Sequence, residues 1–159
     1  MLSIPPAVMA VMQDQAFASY PGECCGLLFA RSGSLEATRA TPLENLADRF
    51  HAMDPLEYPR TSRDAFMVNE AKLTRLVREA EAAGEYWLAF YHSHIDCGAY
   101  FSAEDKKYAA PGGSPVFPDL LQMVIETHAD RIVEARTFRW DGSDFAHHQT
   151  FPAFARRKT

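Results

Sequence analysis

Cysteine is scarce in this sequence: Cys24, Cys25 and Cys97 are the only three in 159 residues. An odd number with two members adjacent does not make a disulfide framework, and a reducing compartment fits it best. Basic residues are also in short supply. The 16 lysines and arginines face 21 acidic residues, for a net charge of −5, so the chain lacks the footprint of a nucleic-acid binder. Long apolar runs are missing as well. The opening MLSIPPAVMAVMQDQAF has no basic leader region and reaches Gln13, Asp14 and Gln15 before any stretch is long enough for export or membrane spanning. The expectation is a cytoplasmic protein with no membrane partner. Repeats, low-complexity tracts and linkers are absent too, which excludes an array or a jointed chain and points to one domain over 1–159. Its closing Arg156, Arg157 and Lys158 read as a solvated basic tail over about 155–159. What is plentiful is apolar surface: 47% hydrophobic residues, with 12% aromatic, suffice for a sizeable core.

Ser3 reads as the cap of a first helix that takes Pro5 and Pro6 in its opening turn, carries Ile4, Val8, Val11 and Met12 on one face, and ends near Tyr20-Pro21-Gly22. CCGLLFA (24–30) is a short apolar run suited to a buried strand, and Arg31-Ser32-Gly33-Ser34 turns it into LEATRATPL. Residues 45–60 contain Pro55 and Pro59 and read as strand fragments and loops. Phe66, Leu73, Leu76, Val77 and Ala80 then recur at helical spacing, with Thr61 or Ser62 as cap and Gly84 as the left-handed C-terminal residue. YWLAFY (86–91) has no polar alternation and reads as a central strand covered on both faces. A short helix after Asp105 to Ala110, a Pro/Gly-rich loop, strands at LLQMVIET and RIVEARTFRW, a turn at Asp141-Gly142 and a last strand or helix at 145–154 complete the chain. This order predicts a layered α/β domain with a mixed sheet.

The stretch YHSHIDCGAYFSAEDKKYAA (91–110) carries the chemistry. Alternate residues of an extended chain point the same way, so His92 and His94 can aim both imidazoles at one point. Ser102-Ala103-Glu104-Asp105 matches the start of a helix, with serine as cap and an acid three positions on. Taken alone that is an ordinary cap. The full pattern HxHx7SxxD, however, has a chance expectation of roughly 10⁻³ in this composition. Zinc accepts neutral imidazole and carboxylate, and a catalytic site uses three protein ligands with the fourth position left to water. His92, His94 and Asp105 are the candidate ligands, and Ser102 is the candidate hydroxyl donor to an oxyanion. Glu23, immediately ahead of the apolar strand, is the candidate base for the water; on its own it reads first as an ordinary strand-edge carboxylate.

Together, GECCGLLF and, some 70 residues later, YHSHIDCGAYFSAED resemble the JAMM/MPN+ metalloprotease family, whose pattern is a glutamate ahead of the first strand followed by HxHx7SxxD. PGECCGLLF with NLAD (45–48) looks like its compact prokaryotic branch. The resemblance implies a fold similar to the cytidine deaminases, a mixed sheet flanked by helices, with one Zn²⁺ on His92, His94 and Asp105, Glu23 as general acid/base and Ser102 at the oxyanion. It also implies hydrolysis of an amide or isopeptide bond after the C-terminal Gly-Gly of a ubiquitin-like or sulfur-carrier protein. Such domains also form homodimers, although no interface signature is visible. Two positions depart from the family's habit: Ile95 and Phe101 stand where proline is common, so the path of the loop over the metal is not set by the resemblance.

Other readings compete. Asp96 and Cys97 lie in the same loop as alternative ligands, and a thiolate would close the open position of a catalytic site. Cys24 and Cys25 read as packing residues, Tyr100 and Phe101 as either a wall for the substrate or core anchors, and His51, His128, His147 and His148 lack ligand spacing. A nucleobase deaminase would need PCxxC with HxE, which this chain lacks. A DNA-associated relative would show a basic surface, and a non-catalytic scaffold or structural zinc protein would need fewer of these five polar positions.

Overall fold

The structure is a computed structural model describing residues 1–159. Its elements are α1 (Pro6–Ser19), β1 (Cys25–Arg31), β2 (Ala37–Leu43), α2 (Ala47–Met53), α3 (Glu70–Ala82), β3 (Glu85–Ile95), α4 (Ala103–Ala109), a 3₁₀ turn at Pro111–Gly113, β4 (Leu121–Thr127), β5 (Arg131–Trp140), β6 (Phe145–Phe151) and β7 (Ala155–Arg156). The seven strands form one sheet in the order β2-β1-β3-β4-β5-β6, with β7 also on β5. Only β3 and β4 run parallel, as their connection through α4 requires; all other neighbours are antiparallel. The expected mixed sheet flanked by helices is what forms.

Each face of the sheet has its own core. Alternation along β3 sends Ala89 and Tyr91 to one side, where α1 packs Val8, Met12 and Ala16 against them and against Leu28, Met123 and Ile125. Phe90 points to the other side with Leu27 and Phe29, where α3 contributes Leu73, Leu76, Val77 and Ala80. Beyond β3 on that side, Phe101, Ala110, Val124, Phe138 and Phe145 make a third cluster under α4. His92 and His94 continue the Phe90 side. They therefore emerge in the gap between the α3 core and the α4 core, at the carboxyl end of the parallel pair, the usual place for ligands in an open α/β sheet.

Several local expectations need correction. Ser3 does not cap α1: Pro5 flanks the helix without a side-chain bond, and Ser3 instead bridges to Glu36, exchanging main-chain bonds of 2.9 Å with Leu35 and Ala37. Val11 is exposed, and Ala16 takes the buried position on that helix. The 45–60 segment contains a helix, α2, because both prolines fall after it. α3 starts later than the Phe66 spacing suggests: Asn69 accepts the Lys72 N–H at 3.0 Å and caps it, so Phe66 packs from the preceding loop. Gly84 does take the left-handed conformation, φ +80°. α4 begins before Asp105, at Ala103. The basic tail is exposed but tied down, since Arg156 pairs with β5 and Arg157 donates to the carbonyls of Ala129 and Phe17. No helix is long and apolar enough to cross a membrane.

Candidate metal centre

His92, His94 and Asp105 converge: one donor atom from each lies within 4.8 Å of the others, and all three residues are buried. β3 supplies the two imidazoles two residues apart, and the α4 cap supplies the carboxylate. The cap is a full capping box, in which Ser102 Oγ accepts the Asp105 N–H at 3.0 Å and Asp105 Oδ2 accepts the Ser102 N–H at 3.0 Å. This reciprocal pair fixes the aspartate rotamer. His94 Nδ1 lies 2.9 Å from the Gly98 carbonyl. A carbonyl only accepts, so Nδ1 carries a proton, and in the neutral form of the ring the lone pair of Nε2 would face Asp105 Oδ2, 3.1 Å away.

That arrangement sets an acceptor against an acceptor unless a cation or an extra proton lies between them. His92 presents the same demand. Its ring is fully buried, neither nitrogen has an aligned hydrogen bond, and its Nε2 sits 3.2 Å from Asp105 Oδ1. Burial lowers the pKa of His92 and disfavours the imidazolium form. Burial alone would raise Asp105, but its contacts with His92 and His94 prevail and hold the carboxyl well below the usual carboxylate range. Two imidazoles and a carboxylate with unspent lone pairs, one histidine anchored through its other nitrogen to a carbonyl, fit a divalent metal of the zinc type.

Glu23 stands beside this group and lines the same cavity as His94, Ser102 and Asp105. It is 6% exposed, and burial, reinforced by the charges of Asp105 and Asp64, pushes its carboxyl up to about 9. Its backbone is clamped. The Glu23 N–H donates to the Ser62 carbonyl, and Asn45 Nδ2 donates to the Glu23 carbonyl (2.9 Å) and to Ala65 O (2.9 Å). Asn45 Oδ1 accepts the amides of Ala47 and Met67, and Asp48 accepts the Ser62 amide and hydroxyl at 2.7 Å each. The NLAD stretch is thus a brace that hangs the 60–67 segment and Glu23 together.

Ser93, between the two histidines, faces the opposite side of the sheet, and sequence reasoning passed over it. Its amide donates to the Cys24 carbonyl at 3.0 Å, but the reciprocal Cys24 N–H goes to Ser93 Oγ, at 2.8 Å, in place of the ladder carbonyl. The side chain substitutes for a strand bond where the chain leaves the sheet at Glu23. A polar residue inside a fully buried strand needs a partner, and this was the available signal.

The loop residues separate. Asp96 is turned away from the metal group: with φ +56°, its carboxylate accepts the Tyr20 hydroxyl at 2.9 and 3.0 Å and lies near Arg63 and His128. Cys97 lines the cavity without joining the ligand group. Phe101 is a core anchor on Phe138 and Phe145, whereas Tyr100 is 52% exposed and meets the His94 ring edge-on at 5.0 Å. Cys24 and Cys25 are buried packing residues. His51, His147 and His148 are spent on local hydrogen bonds, and His128 on Glu126.

A mixed sheet whose parallel pair delivers two imidazoles from one strand and a carboxylate from the next helix cap defines a layered α/β domain with a buried His-His-Asp centre. The model of the prokaryotic homologs of the JAB domain matches residues 5–141, and the chain belongs to that family, a prokaryotic branch of the JAMM/MPN proteins. Among curated proteins it is similar to the desampylase of Haloferax volcanii, 27% identical over 107 residues, covering 67% of this chain and 68% of that one. Among solved structures it is similar to a Desulfitobacterium hafniense protein (TM-score 0.66, 23% identity, 94% of this chain and 90% of that chain). It is also similar to a Salinibacter ruber protein (TM-score 0.58, 19% identity, 93% and 89%). At these identities the two structures establish the shared fold.

Proposed function

We propose that this protein is a zinc-dependent metallo(iso)peptidase that hydrolyses an amide or isopeptide bond after the C-terminal Gly-Gly of a ubiquitin-like or sulfur-carrier protein. The observation that carries the reading is the buried His92, His94 and Asp105 group, which brings one donor atom from each residue within 4.8 Å of the others. Family membership and the similarity to a protein named desampylase support a ubiquitin-like substrate. Zinc on that donor set supplies Lewis acidity toward a carbonyl, makes water a nucleophile near neutral pH, and lowers the pKa of a neighbouring carboxyl.

The chain's own residues do the rest. Glu23 accepts the proton of the attacking water and returns it to the departing amine; a carboxyl whose proton affinity is raised by burial suits both halves of that exchange. The Ser102 oxygen is occupied as the acceptor of the Asp105 amide, which leaves its O–H to donate to the developing oxyanion. Glycine at the substrate terminus lets backbone approach the cavity that Glu23 and Ser102 line without a side chain to place.

The test is incubation of the zinc-loaded protein with ubiquitin-like carriers that continue past Gly-Gly, read by mass spectrometry. Release after Gly-Gly that stops with chelator and in Glu23→Gln is the expected result. Undiminished release by a Glu23→Gln protein that still holds zinc refutes the assigned base.

A further inference from the structure

His94 is held from outside its own strand by the loop that follows it. Its Nδ1–H donates to the Gly98 carbonyl at 2.9 Å, and a main-chain oxygen is aimed only by the course of the chain on either side of it. On the far side, Ala99 and Phe101 sink into the cluster under α4. On the near side stands Asp96, separated from Gly98 by Cys97 alone. Asp96 is exposed, and with φ +56° it is the only residue other than glycine in the left-handed region. Asp and Asn visit that region more readily than other L-residues, but a single such turn persists only where its neighbours enforce it.

The neighbours here come from three separate parts of the chain. At the end of β4, the Thr127 carbonyl accepts the Asp96 N–H at 2.9 Å. At the end of α1, the Tyr20 hydroxyl donates to the Asp96 carboxylate, 2.9 and 3.0 Å from its two oxygens. His128 Nδ1 and Arg63 complete the ring of groups around that carboxylate, at 3.6 and 3.8 Å, beyond hydrogen-bond distance. Among the side chains, therefore, only Tyr20 makes a hydrogen bond to Asp96, and it springs from a helix whose Val8, Met12 and Ala16 are locked in the core. One phenol thus ties the first helix to the loop beside the candidate centre.

We propose that Tyr20 and Asp96 are positioning residues for the metal. Their hydrogen bond locks the left-handed turn, the turn aims the Gly98 carbonyl, and the carbonyl holds the His94 ring with Nε2 toward Asp105. Partners of this kind fix the orientation of a ligand and with it the affinity of the site. The assignment rests on the metal reading of the centre and is independent of the substrate.

Three substitutions test it. Asp96→Gly suits the left-handed turn but removes the carboxylate, Asp96→Asn keeps both an oxygen for Tyr20 and a side chain that tolerates the turn, and Tyr20→Phe removes only the hydroxyl. The His94 Nδ1–H resonance is followed by NMR in the metal-free proteins, and zinc affinity is measured by competition with a chromophoric chelator. Asp96→Gly is expected to weaken zinc about tenfold or more and Tyr20→Phe about threefold or more, each with faster exchange of the His94 Nδ1–H. Asp96→Asn is expected to stay within about threefold of wild type, since it gives up only exposed ion pairs. Zinc held as tightly by Asp96→Gly as by the wild type overturns the proposal. Weakened zinc with the His94 resonance unchanged also overturns it, because the bond would then act on the fold and not on the ligand. A wild-type protein that takes up no zinc overturns the metal reading instead, and the resonance in the metal-free proteins then decides by itself whether Tyr20 and Asp96 position His94.

Discussion

Replacing Ser93 by alanine tests how Glu23 is held. The Ser93 hydroxyl is fully buried and is the acceptor for the Cys24 amide, at 2.8 Å, on a residue 2% exposed. In Ser93→Ala that amide keeps its place inside the α1-side core but has no acceptor. Leaving a buried donor unsatisfied costs about 1–3 kcal/mol, and the lost oxygen leaves too little space for water to take over. A loss of about 2 kcal/mol lowers the melting temperature by about 4–8 °C for a domain of this size. The urea midpoint should fall with the m-value unchanged. Because Glu23 is the next residue along, kcat toward the proposed substrates, carriers extended past Gly-Gly, should fall while KM changes little, and exchange at the Cys24 amide should quicken. A stability change under about 0.5 kcal/mol would refute the reasoning, since it would mean that the ordinary ladder carbonyl can reclaim the amide.

Gly26→Ala acts on the same strand pair: the new Cβ would collide with the Tyr91 ring and lie 2.7 Å from the Thr41 carbonyl, while Tyr91 is fully buried and donates to Gln15 at 2.6 Å. Overpacking of this kind costs about 3 kcal/mol, read as a melting temperature about 6–12 °C lower, and an unchanged midpoint would contradict it. In the metal-free protein, Glu23→Gln should stabilise, and more at pH 8 than at pH 5. The carboxyl rises from an ordinary 4.5 to about 9 on folding, so the native state retains a proton that the unfolded chain sheds, and wild-type stability falls as pH climbs through that window. Melting curves of the chelated proteins at the two pH values check the sign.

Much of this was legible because it depends on local periodicity. A strand puts residues 92 and 94 on one side, and a serine with an acid three positions on makes a helix cap; both are rules of a few residues, and both survived folding. The helix at 47–53 was not legible because prolines downstream of it obscured its short pattern. The late start of α3 escaped for a similar reason: Phe66 sits at helical spacing yet packs from a loop on Phe90 and His92 at ring separations of 5.3 and 4.6 Å. Asn45 and Ser93 were invisible as supports because their partners lie 20 to 69 positions away in the chain.

The sequence by itself determined the donor set, the spacing that lets one strand and one cap present it, and a mixed α/β order with enough apolar residues to bury it. Only the tertiary structure decided which carboxylates join in. It stacks β1 on β3 so that Cys25 faces His92, which brings Glu23 to the histidines, and it turns Asp96 outward to Tyr20. The physical reason is that strand register and loop direction are fixed by long-range hydrogen bonds and by desolvation, neither of which leaves a trace in nearest-neighbour spacing.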